Sequence, residues 1–126
     1  TQRNLSFEGI EQAKMIGEYF RTNKIKFSEI LSSEWCRCID TISNMGIGKW
    51  KEFEGLNSFF QDFSDKSKVT KILHKKLDII KDDELFLMVT HQVVISHITG
   101  ISPSSGGIVL YSTRTGKSKN IIINYN

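Results

Sequence analysis

Two junctions between an apolar segment and the following helix carry side chains that could bind an anion. Segment 31–33 leads to Arg37, and an apolar run ends in Thr90 and His91. In parallel α/β sheets, ligands lie beyond the carboxyl ends of the strands, where helix N-termini favour anions. Arg37 can grip a phosphate through two nitrogen atoms, and His91 can donate to or protonate a phosphate oxygen. The plainer alternative is a solvated arginine and a hydrogen-bonded histidine.

Strands alternating with helices must position these residues. Apolar periodicity predicts helices over 6–23, 33–45, 68–81 and 92–99, strands over 27–33, 49–56, 84–90, 107–112 and 119–125, and a loop over 57–67. This order predicts a single layered α/β domain over residues 1–126, with a mostly parallel sheet and an antiparallel edge.

Capping residues mark the predicted helix ends. Ser6 and Ser33 are expected to be N-caps, because their hydroxyls can accept from the free N–H groups of a first turn. Asn23 is expected to adopt a left-handed conformation that ends the first helix, and Gly46 and Gly100 are expected to end later ones.

Composition excludes several classes of protein. Apolar residues make up 39% and charged residues 25% of the 126 residues, which is ordinary for a globular domain. The net charge of +3 is too small and too dispersed to predict a nucleic-acid partner. No apolar run is long enough to predict a membrane span. The two cysteines, Cys36 and Cys38, point to different sides of a helix, so neither a disulfide nor a zinc site is expected.

Three segments carry a resemblance to a known family. The segment "NLSFEGIEQAKMIGEYF" is similar to the helix that follows the catalytic loop in the histidine phosphatase superfamily, which has the phosphoglycerate-mutase-like fold. The segment "ILSSEWCRCIDT" resembles the family's phosphate-binding segment, and "LFLMVTHQ" resembles the strand ending in its second catalytic histidine. They occur in the family's order and cover nearly the whole chain, and the likeness is greatest to a small bacterial branch.

The resemblance implies a fold, a chemistry and a set of site residues. The implied fold is a three-layer α/β/α sandwich, and the implied reaction is phosphoryl transfer to a nucleophilic histidine followed by hydrolysis, without metal or other cofactor. Arg37 would bind the phosphate and His91 would be the second catalytic histidine. Asp62 is preferred over Glu54 as the acid that protonates the leaving group, with a solvated loop carboxylate as the alternative. Arg3 and Gln92 are candidate substrate contacts; the alternative is a surface role for Arg3 and a place at the start of the helix for Gln92.

The family's nucleophilic histidine has no counterpart among His74, His91 and His97, because none follows an arginine and only His91 ends a strand. The expectation is therefore that the Arg-His motif lies on a strand upstream of residue 1, that the chain is N-terminally truncated, and that it is inactive by itself.

Two functions remain open at this point. The first is a phosphatase acting on a phosphorylated small molecule or a phosphoprotein, as a phosphomonoester or a phosphohistidine. The second is a non-catalytic phosphate-binding or interaction module that has lost the nucleophile. A homodimer, and a cytoplasmic or periplasmic location, are left open.

Overall fold

The computed structural model describes residues 4–59 and 63–123. These residues form a mixed α/β fold with helices α1 (Phe7–Thr22), α2 (Cys36–Met45), α3 (Phe63–Asp78) and α4 (Gln92–Thr99), and strands β1 (Glu29–Ser32), β2 (Lys51–Glu52), β3 (Phe86–Val89), β4 (Ile108–Tyr111) and β5 (Ser118–Ile121). The predicted order of helices and strands is confirmed over this part of the chain.

The ends of α1 show one confirmed cap and one correction. The Ser6 hydroxyl accepts from the Gly9 N–H at 3.1 Å, as predicted. Asn23 is not left-handed, since its φ is −90°, and the left-handed residue is Lys24, with φ 54°. The Asn23 side chain instead donates to the Tyr19 carbonyl at 2.9 Å, so the chain turns one residue later than predicted.

The prediction of Ser33 as the cap of α2 is wrong. The helix begins at Cys36 with Trp35 as its N-cap, and no side chain forms a cap hydrogen bond there. Ser33 is held at the end of β1 instead, where its hydroxyl serves the candidate site. Gly46 ends α2 in the left-handed conformation at φ 60°, as predicted.

The polar segment 57–67, predicted as a loop, is partly helical. Helix α3 begins at Phe63 and ends at Asp78, so it starts earlier and stops earlier than the predicted 68–81. Once the buried turns around Val69 and Leu73 are formed, extending the helix by one polar residue costs little free energy, because helix propagation is much less costly than nucleation.

The main sheet has the strand order β2-β1-β3, and all its pairings are parallel. The predicted strand 49–56 shrinks to Lys51–Glu52, because a 3-10 turn follows at Glu54–Leu56. The hairpin β4–β5 is antiparallel, as expected. Among the described strands it forms a sheet of its own, so the prediction that it is an edge of the parallel sheet is wrong.

Neighbouring residues of β1 point to opposite faces of the sheet and enter different cores. Ile30 packs with buried residues of α1 and α2. Leu31 packs with buried residues of α3 and α4. Helices α1 and α2 approach each other closely at Gly17, which has no side chain. A Cβ placed on Gly17 would lie 1.8 Å from the Met45 carbonyl oxygen. Within residues 4–59 and 63–123, no helix combines the length and hydropathy needed to cross a membrane.

Candidate functional site

The parallel pairing of β1 with β3 brings the two predicted junctions together. Ser32 lies opposite Val89 in the register, so both strands end at the same edge of the sheet. The Ser33 N–H donates to the Val89 carbonyl at 2.9 Å, which extends the pairing beyond β1. The Thr90 hydroxyl donates to the Leu56 carbonyl at 2.6 Å and fixes the chain just before His91.

A hydrogen-bond network holds the His91 ring. The Ser33 Oγ and His91 Nε2 atoms lie 2.9 Å apart, and Ser33 Oγ lies 3.1 Å from Asn57 Oδ1. The backbone N–H of Trp35 donates to Ser33 Oγ at 3.2 Å, and that of Glu34 donates to Asn57 Oδ1 at 2.8 Å. Ser33 has one hydroxyl proton to give, so a bond from it to Asn57 requires His91 Nε2 to be the donor to Ser33.

Arg37 lies in the first turn of α2 with an exposed side chain. Among residues 4–59 and 66–123, no carboxylate lies within ion-pair distance of its guanidinium. Burial, together with the positive charge of Arg37 as the smaller cause, lowers the pKa of His91 to about 4. At neutral pH the site therefore combines one accessible cation with a neutral imidazole.

Cys38 and Trp35 flank the imidazole. The Cys38 Sγ atom lies 3.7 Å from His91 Nε2, and burial raises the pKa of this thiol to about 11. The thiol stays protonated at neutral pH, so it is a packing neighbour and not a nucleophile. The Trp35 ring meets the His91 ring edge to face at 4.9 Å between centroids, and Trp35 remains 40% exposed.

Two of the other candidate residues, Gln92 and Glu54, have partners of their own. Gln92 is exposed at the start of α4, and its side-chain amide donates to the Pro103 carbonyl. Glu54, the alternative acid, forms an ion pair with Lys68 at 3.0 Å. Arg3 and Asp62 lie outside the described residues, so their predicted roles stay predictions.

His91 is the only one of the three histidines at this site. His74 and His97 are exposed on α3 and α4. Partial burial and the nearby charges of Lys66 and His74 lower the pKa of His97, and its ring contacts Phe59 at 5.6 Å. His97 and these neighbours lie on the side of the sheet covered by α3 and α4.

The arrangement can bind an anion but offers few other chemistries. Ser33 is bonded to an imidazole, as a nucleophilic serine would be, yet its exposed fraction is 0%, so no substrate carbonyl or phosphorus can reach its hydroxyl. Within the described part of the chain, no three acidic, histidine or cysteine side chains converge as metal ligands do.

Sequence reasoning missed two residues of the site. Ser33 was assigned to a cap, and Asn57 lay in a stretch predicted as an unstructured loop. Ser33 ends a strand beside another serine, which is a signal for a strand-end site. Nothing local distinguishes Asn57, because its role depends on a contact with Ser33 across 24 positions of sequence.

Comparison with known proteins does not identify a family for the chain. A scan against protein-family models and a search of the curated proteins both found no match for the chain.

Proposed function

We propose that Arg37 and His91 bind a phosphoryl group, and that the protein is a phosphatase acting on a phosphomonoester or a phosphohistidine through a phosphohistidine intermediate. The observation that supports this most is the accessible guanidinium of Arg37 acting on the neutral imidazole of His91 at the shared end of two parallel strands. A dianionic phosphate would be attracted to Arg37, and it would stabilise the protonated form of His91.

The proposal includes the three-layer arrangement of the phosphoglycerate-mutase-like fold. The two hydrophobic clusters support it, because α1 and α2 pack on one face of β1 while α3 and α4 pack on the other.

In the proposed reaction, a histidine nitrogen attacks phosphorus and the ester oxygen leaves with a proton from a carboxylic acid, for which Asp62 is the proposed donor. Water then attacks the phosphohistidine and releases inorganic phosphate and the free imidazole. Negative charge on the phosphoryl oxygens is stabilised by the guanidinium of Arg37 and by an N–H of His91. We propose that the nucleophile is a histidine other than His74, His91 and His97.

One observation favours the second function for residues 1–126 by themselves, a phosphate-binding module without turnover. No second histidine accompanies His91 at the site, since His97 lies near Lys66 and His74 instead. A phosphohistidine intermediate needs a nucleophile beside the bound phosphate, and Cys38 and Ser33 are both too buried to replace it.

Phosphate binding is tested by titrating the chain with inorganic phosphate while the carbon-bound imidazole protons of His91 are followed by NMR. We expect saturable shifts that disappear in Arg37→Gln and persist in Arg114→Gln, an exposed arginine in the turn between β4 and β5. Equal shifts in the two variants would show that the binding does not use Arg37, and the proposed site would be rejected.

Catalysis is tested separately, by the intact mass of the protein isolated from its own cells and by its turnover of para-nitrophenyl phosphate. A mass that includes an upstream Arg-His segment, with turnover lost in His91→Ala and a phosphohistidine trapped by acid quenching, supports the phosphatase. A mass matching residues 1–126, with phosphate binding but no turnover, supports the binding module.

A further inference from the structure

Strand β3 has helices packed over both faces but is only half-buried. Leu87 and Val89 pack against the cluster of α1 and α2, and Phe86 and Met88 pack against that of α3 and α4. All four residues nevertheless keep intermediate exposure, whereas three of the four residues of its neighbour β1 are buried. Strand β1 has a neighbouring strand on each side, whereas β3 has a neighbour on one side only among the described strands, which accounts for its greater exposure.

Within residues 4–59 and 63–123, no strand pairs with the backbone of β3 on the side away from β1. The Val89 carbonyl faces β1, because it accepts from the Ser33 N–H. Backbone groups of alternate residues in a strand point to the same side, so Leu87 also faces β1 while Phe86 and Met88 point away from it. Among the described strands, β3 pairs only with β1.

Strand β4 presents a matching edge. The Ser112 N–H donates to the Lys117 carbonyl at 2.9 Å, which places Ser112 and, by alternation, Leu110 on the side facing β5. Val109 and Tyr111 therefore direct their backbone groups away from β5. Within the described residues, β4 pairs only with β5.

One cavity of about 1110 Å³ lies against both edges, since its lining includes every residue of β3 and every residue of β4 and none of β5. Ile108 of β4 packs into the same hydrophobic cluster as Leu87 and Val89, so the two strands share a core without being paired. We name the space between them the strand slot.

We propose that the strand slot binds one extended, apolar segment of polypeptide, which pairs with β3 on one side and β4 on the other. Free donors and acceptors on two strand edges that line one cavity are complementary to a peptide backbone and not to a compact small molecule. The helices above and below require apolar side chains on both faces of the bound strand, as in a buried strand of a parallel sheet. This inference stands independently of the proposed phosphatase or phosphate-binding function.

A segment bound in the strand slot would also lie close to the candidate site. Either orientation of the bound segment places one of its ends beside the carboxyl end of β3, where Thr90 and His91 follow. A partner strand would therefore add its terminal residues to the surroundings of His91.

The test is to titrate the chain with a synthetic peptide carrying about five alternating valines and isoleucines, the length of an ordinary strand, between pairs of lysines. Binding is followed by fluorescence anisotropy, and amide hydrogen exchange is measured by NMR. We expect slower exchange at Phe86, Met88, Val109 and Tyr111. Leu87 and Leu110 serve as internal controls, because their amides already face β1 and β5.

The matched control is the same peptide with its alternate backbone nitrogens methylated, which keeps the side chains and removes hydrogen-bond donors. We expect it to bind at least about tenfold more weakly, because at least two hydrogen bonds are lost. Equal binding of both peptides, or new protection at only one of the two strands, would overturn the proposal. A dimer, seen by sedimentation, that protects the same amides without peptide would assign the slot to a second copy of the chain instead.

Discussion

Ser33 Oγ lies 2.9 Å from His91 Nε2, and this contact joins the ends of β1 and β3 across 58 positions of sequence. Ser33 is fully buried and His91 is half-buried, so the contact is partly shielded from water and sets the direction of the imidazole. The orientation of His91 is therefore a property of the sheet edge and not of the helix that His91 begins.

Removing the Ser33 hydroxyl should loosen His91. Ser33→Ala removes the hydroxyl that lies 2.9 Å from His91 Nε2, and Asn57 Oδ1 keeps only the hydrogen bond from the Glu34 N–H. We expect the substitution to lower the free energy of unfolding by about 1–3 kcal/mol and to weaken phosphate binding. Urea denaturation and the phosphate titration measure the two effects. Ser32→Ala is the matched control, because Ser32 is equally buried but its hydroxyl donates to the Ser33 carbonyl. If both variants weakened phosphate binding equally, the Ser33–His91 contact would have no specific role.

Arg37→Gln should raise the pKa of His91 in the absence of phosphate and should abolish the rise in that pKa which phosphate causes. In phosphate-free buffer, loss of the nearby cation should raise the pKa of His91 above its value of about 4, although burial will keep it below that of a free imidazole. Added phosphate should raise the pKa of His91 in the unmodified chain and have little effect in the variant. NMR titration of the imidazole measures both. A pKa that does not respond to Arg37→Gln would show that the guanidinium lies too far away to share a ligand.

Stability should fall on acidification because of His91. The unfolded chain takes up a proton near pH 6.5, whereas folded His91 does so only near pH 4. Between these values the unfolded state binds more protons, so the free energy of unfolding decreases as pH falls. Urea unfolding without phosphate at pH 7 and pH 5 should therefore show a smaller decrease for His91→Gln than for the unmodified chain. His97→Gln, at a more exposed histidine with a lowered pKa, should retain most of the decrease; the opposite ranking would contradict the assignment.

Gly17 should tolerate no side chain. A Cβ at this position would lie 1.8 Å from the Met45 carbonyl oxygen, so Gly17→Ala must separate α1 from α2. We expect a loss of more than about 3 kcal/mol in thermal or urea unfolding. Gly9→Ala in the same helix is the control, because its Cβ would meet side-chain atoms of Leu5, at 2.7 Å, and of Ser6, at 3.3 Å, and no backbone atom. That variant should be neutral or gain up to about 1 kcal/mol from helix propensity.

Much of the fold was predictable because its signals are local. The Ser6 cap, the left-handed Gly46 and the order of helices and strands follow from side-chain chemistry and periodicity within one element. The start of α3 and the separation of the hairpin from the main sheet were not predictable in this way. They depend on how cheaply a formed helix extends, and on which strand edges meet after packing.

The sequence by itself determined that Arg37 and His91 each lie where a strand gives way to a helix, because apolar runs, polar junctions and helix caps are encoded within a few residues. Only the tertiary structure decided that Ser33 and Asn57 orient His91, that burial keeps its imidazole neutral, and that β3 and β4 line one cavity without pairing. These features arise between segments far apart in the chain, and no local pattern of residues specifies such distances.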